Sequence, residues 1–148
     1  MNITKAMKKI SRLKGEIAET KDLIKSNISV MEPNEFAFNF GELYKKLTKQ
    51  THALIELKVK IMEANIKNGV FEKILNLGEL KAMKAFVGEL PIQEGFQDRS
   101  FFGRSDETPK KYKTQLTNVE RKAIVDALKA TIETTLDELD EFNATTII

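Results

Sequence analysis

Ile3-Thr4-Lys5-Ala6-Met7-Lys8-Lys9-Ile10-Ser11-Arg12-Leu13-Lys14-Gly15-Glu16-Ile17-Ala18-Glu19-Thr20-Lys21-Asp22-Leu23-Ile24 sets isoleucine at every seventh position, with Ala6, Leu13 and Thr20 three residues after each of the first three. On an α-helix this spacing draws one narrow apolar stripe and leaves the other faces to Lys and Glu, which is the pattern of a coiled-coil seam. The chain therefore opens with a helix, about residues 4–26, shaped to lie along another helix. Gly15 falls on its outer face, where it costs about 1 kcal/mol relative to alanine. The stripe identifies packing and carries no chemistry.

A second series follows. Phe40, Leu47, Leu54 and Ile61 repeat every seven residues, and Leu43, Gln50, Leu57 and Ala64 fill the intervening seam positions. They predict a helix over about 42–67 that ends at Asn68-Gly69, where glycine suits a left-handed C-cap. Gln50 is a lone polar residue in that seam; it either fixes register at some cost in stability or lies at an edge in water. Val70 to Leu77 is apolar without punctuation. Leu80, Met83, Phe86 or Val87, and Leu90 then mark a short helix, about 78–90, ending before Pro91, with Glu79 placed near its start to favour the helix dipole.

Thr117-Asn118-Val119-Glu120 is a capping-box sequence, and Val125, Ile132 and Leu139 alternate with Leu128, Thr135 and Phe142 along a last helix over about 118–142. The β-branched ending Ala144-Thr145-Thr146-Ile147-Ile148 predicts a tail that packs rather than trails. Two segments lack helical period. In 28–41 the alternation of Phe36, Phe38 and Phe40 reads as a short strand or an apolar loop over helix ends. In 91–116, Gly95, Gly103 and Pro109 punctuate a functional loop, a hairpin or disorder.

The 148 residues are expected to make one domain, 1–148, mainly α, with long antiparallel helices in coiled-coil-type packing, a short extra helix and a small β-hairpin or caps from the loops. With 31% charged residues, 41% apolar residues and no tryptophan, the composition suits a narrow apolar seam rather than a thick core. Cysteine is absent, which excludes disulfides, thiolate metal sites and thiol nucleophiles. Met1 to Lys9 has no apolar run of a signal peptide, no segment is apolar enough to span a bilayer, and the expected location is cytoplasmic. The net charge of +2 hides an asymmetry: residues 1–27 hold seven Lys/Arg against three Asp/Glu, and residues 117–148 hold three against seven. That division favours pairing of the first and last helices, within one chain or between chains.

Chemistry-bearing patterns are sparse. His52, the sole histidine, falls on the outer face of the second helix, and with no cysteine or second histidine it completes no metal or catalytic site. Acid pairs such as Glu16/Glu19 and Asp137/Asp140/Glu141 are what a charged coiled-coil face produces by default. Gly78 and Gly88 form no phosphate loop. No enzyme, cofactor or metal is expected. Arg99, Phe101, Phe102, Arg104, Lys110, Lys111, Tyr112 and Lys113 interleave cations with aromatic rings, the chemistry of phosphate contact and base stacking, although Asp98, Asp106 and Glu107 dilute the charge.

Ile3-Thr4-Lys5-Ala6, the stretch from Leu77-Gly78-Glu79-Leu80-Lys81 to Glu89-Leu90-Pro91, and Leu139-Asp140-Glu141-Phe142-Asn143-Ala144-Thr145-Thr146 resemble the septicolysin-like family of small bacterial proteins. The resemblance spans essentially the whole chain and implies a helical, cytosolic protein that assembles with copies of itself, in a family without an established activity. The family name suggests a cytolysin, but bilayer insertion would bury many Lys and Glu at several kcal/mol each. The expected function is therefore a non-enzymatic scaffold or protein-interaction protein, a homo-oligomer of two or more copies, with other proteins as further partners. Ile10, Leu13, Ile17, Leu47, Leu54, Leu57, Ile61, Leu128, Ile132 and Leu139 would carry the helix packing and assembly. Nucleic-acid or anionic-ligand binding through residues 99–113 is the alternative, and a membrane-active role comes third.

Overall fold

The computed structural model describes residues 1–97 and 110–148. These form four helices, α1 (Ile3–Asn27), α2 (Phe40–Lys67), α3 (Val70–Gly88) and α4 (Asn118–Thr145), and one antiparallel sheet of β1 (Gly95–Gln97) and β2 (Lys110–Tyr112). The fold is mainly α, as the heptads predict. Two compact units divide it: Met1–Phe71 with Leu139–Ile148, and Glu72–Glu138.

In the first unit α1 lies along α2. Thr20 meets Gln50, and Ala6 and Leu13 cluster with Leu57, so rising numbers in α1 meet falling numbers in α2 and the pair is antiparallel. Ile3, Ala6, Leu13 and Thr20 are buried, Ile10, Ile17 and Ile24 half-buried, and Ile10, Ala53, Leu54, Ile61 and Ile148 close round the core. Each helix has an asparagine N-cap: the Asn2 side chain accepts from Lys5 N and the Asn39 side chain from Glu42 N. Charge alone had favoured the last helix as the partner of α1. The apolar seam decides instead, because one fully buried Leu or Ile contributes about 1.5–3 kcal/mol and an exposed ion pair about 0–1 kcal/mol.

The tail packs as its composition suggested. Ile3 N donates to Thr146 O (3.1 Å), Ile148 N to Met1 O (2.9 Å) and Asn2 Nδ2 to Ala144 O (2.8 Å), and Ile148 joins the α1–α2 core. The segment with Phe36, Phe38 and Phe40 forms no strand; all three rings are exposed, and Phe40 opens α2 stacked on Tyr44 at 5.6 Å. Alternation predicts a strand only where a partner edge exists to pair with it.

In the second unit, Lys73 Nζ donates to Glu138 Oε2 (2.5 Å), while Arg121 Nη1 donates to Leu90 O (2.8 Å) just past the end of α3. The two anchors make α3 and α4 antiparallel. Leu77, Val87 and Ile132 are buried. α3 starts at Val70, eight residues before the expected 78, because Gly69 takes φ +66° and turns the chain between two helices without any loop. Glu79 therefore sits in mid-helix, and Glu72 holds the first turn. Of the expected seam, Leu80 and Leu90 are half-buried and Val87 rather than Phe86 takes the buried position, while Met83 is exposed. The α4 capping box forms in both directions: Glu120 N donates to Thr117 Oγ1 (3.1 Å), and Thr117 N to Glu120 Oε2 (2.8 Å).

Candidate interaction surfaces

The α1–α2 seam is the first surface to consider, since sequence assigned it to assembly. Ile10, Leu13 and Ile17 of α1 and Leu47, Leu54, Leu57 and Ile61 of α2 are all buried or half-buried within their own chain. One polar contact interrupts the apolar row. Thr20, 1% exposed, lies 2.9 Å from Glu16 O and 3.0 Å from Gln50 Oε1 through its hydroxyl. A hydroxyl has one proton, so both contacts are satisfied together when the Gln50 amide turns to donate its NH2 to Thr20 while Thr20 donates to Glu16 O. Gln50 is half-buried in the seam rather than solvated at an edge.

A second stripe on α2 has no such cover. Ile55, Val59, Met62 and Ile66 follow at steps of four, three and four, on a face turned roughly 130° from the seam. They are 46–62% exposed. Their spacing was visible in the sequence, but the stronger heptad masked it. His52 is exposed on the same outer side of the helix.

α3 and α4 enclose a groove of about 540 Å³. Leu80, Met83 and Leu128 supply its apolar lining, and Lys73, Glu138, Glu79, Thr131 and Thr135 its polar rim. The two threonine hydroxyls donate to Ala127 O and Thr131 O, so toward the groove they offer lone pairs only. Ile132 is buried nearby in α4, and Leu139 is half-buried. The rim joins no nucleophile to a base. Among the described residues no group of three His, Cys, Asp or Glu could hold a metal ion.

The hairpin carries what is described of the basic and aromatic patch. Lys110, Lys111 and Lys113 are exposed and Tyr112 half-buried; Arg99, Phe101, Phe102 and Arg104 lie outside the described residues. Lys111 stands directly across from Phe96, with Nζ 5.6 Å from the ring centroid. This cation–π contact holds a cation and an exposed ring together. A clamp at the base, which sequence reasoning missed, ties the hairpin to α4: Glu94 Oε2 accepts from Asn118 Nδ2 (3.2 Å), and Arg121 reaches the carbonyls of Gly88 and Leu90. An arginine four residues after a capping threonine is the only trace of it in the sequence. On α4 the Lys122 ammonium is held above its ordinary 10.5, first by its hydrogen bond to Asp126 (2.6 Å) and then by that carboxylate's charge.

No helix among the described residues is long and apolar enough to cross a membrane. Comparison with known proteins finds no matching family model, curated protein or solved structure.

Proposed function

We propose that the chain is a non-enzymatic helical scaffold that associates with copies of itself, in a cytoplasmic setting that its cysteine-free composition suits. The observation that carries this reading is the second apolar stripe of α2. The heptad seams of α1 and α2 already face each other within one chain, so they hold the protomer together, and Ile55, Val59, Met62 and Ile66 form an apolar row that remains exposed and is available for assembly. Contiguous exposed apolar rows of this kind mark interaction sites, whereas single exposed residues do not. The resemblance to the septicolysin-like family agrees with self-assembly.

Light scattering on the purified protein, beside a Val59→Glu variant, tests the proposal. A wild-type multimer that falls to monomer mass in Val59→Glu, with helicity kept, supports it. Monomer mass for the wild type at high concentration contradicts it.

Binding of a nucleic acid or another anionic ligand is the alternative, favoured by the exposed Lys110, Lys111 and Lys113 beside the Lys111–Phe96 pair. Its signature is affinity for an oligonucleotide that weakens steeply as salt rises. Lys111→Ala would lower that affinity; assembly through α2 predicts no change in mass from the same substitution.

A further inference from the structure

Two facing rows of α3 and α4 do not close on each other. Counting antiparallel from the Lys73–Glu138 ion pair sets Asn76 opposite Thr135, Leu80 opposite Thr131 and Met83 opposite Leu128. These residues line the groove of about 540 Å³, a volume in the ordinary range of small-molecule sites. Lys73 to Met83 spans about 15 Å of helix at 1.5 Å per residue. Along that length the lining is graded. One end is apolar, with Leu80 and Leu128 half-buried and the adaptable Met83 53% exposed, and the other end carries Lys73, Asn76, Thr135 and Glu138.

The polar groups of the groove mostly accept. The Thr131 and Thr135 hydroxyls have given their protons to Ala127 O and Thr131 O and turn lone pairs outward. Lys73 and Glu138 neutralise each other. Glu79 stands level with Thr131 by the same count, and no Lys or Arg lies three or four residues from it in α3. Its carboxylate has no ion-pair or hydrogen-bond partner among the described residues. Of the lining side chains only Asn76 and the engaged Lys73 can donate. An occupant that fits both ends therefore has an apolar body and a head rich in donors with a positive charge. A carboxylate or phosphate head would meet Glu79 and two sets of lone pairs.

We propose that the α3–α4 groove binds a cationic amphiphile, a molecule whose alkyl or aryl body lies on Leu80, Met83 and Leu128 and whose ammonium group donates to Glu79 and the threonine hydroxyls. The site is complete within one chain, so it does not depend on self-association.

NMR titration of the isotope-labelled protein at pH 7 with n-octylammonium, 1-octanol and octanoate, each below its micellar concentration, tests it. The three probes share a tail and differ in head charge. Amide shifts should concentrate in residues 73–83 and 128–138, and the amine should bind about fivefold tighter than the alcohol, the size of an exposed ion pair, with octanoate weakest. Glu79→Gln should abolish the preference for the amine and leave the affinity for the alcohol unchanged. Met83→Trp, which fills the apolar end, should weaken all three probes. Both positions are exposed, so circular dichroism should show full helicity in each variant. Shifts that fall elsewhere, no shift with any probe, octanoate binding as well as the amine, or a preference that survives Glu79→Gln overturns the proposal.

Discussion

Thr20 and Gln50 show why a polar pair survives inside an apolar seam. The threonine hydroxyl back-bonds its own helix at Glu16 O and meets Gln50 across the interface, so register is fixed by a contact available at only one alignment of the two helices. Thr20→Val removes the partner and leaves the Gln50 amide half-buried and unsatisfied; urea denaturation should show a loss of about 1–3 kcal/mol. Adding Gln50→Leu removes the orphaned group as well and should recover most of that loss. Gly78 predicts the opposite trend: a Cβ there meets nothing within 4 Å, so Gly78→Ala should raise the melting temperature, worth up to about 1 kcal/mol of helix propensity.

Helices whose periodicity coincides with burial were legible in the sequence. The seven-residue repeat of α1 reappears as a row that is buried at Ile3 and then alternates between buried and half-buried residues from Ala6 to Ile24, and the capping box of α4 reappears as two reciprocal hydrogen bonds. Thr117→Ala should accordingly cost about 0.5–2 kcal/mol in a thermal or urea melt. The start of α3 was not legible, because Gly69 ends one helix and the next begins at Val70 with no polar residue to announce it. Its seam was legible in part: Leu80 and Leu90 are half-buried and Val87 is buried, but Met83 is exposed, because α3 is apolar on two faces and composition does not say which of them the chain covers. The same gap affected the site. Leu54 belongs to the intrachain seam, so Leu54→Glu should reduce helicity as well as mass, because it buries a carboxylate against α1. Loss of mass with full helicity in that variant would return assembly to the heptad seam.

The chain carries more apolar surface than its own packing uses. Among the described residues eight apolar side chains are buried, while 22 large ones are exposed, and those on α2 and α3 fall into continuous rows. Exposed apolar atoms are ordinary on any protein; rows aligned on one helix face call for a partner. In the proposed reading a second copy would meet that need on the α2 row. Light scattering of the wild type across a wide dilution series tests this most directly. Self-association predicts a mass that is a multiple of 16.8 kDa at high concentration and falls toward a single chain on dilution. A mass of one chain at every concentration, with helicity intact, would contradict it.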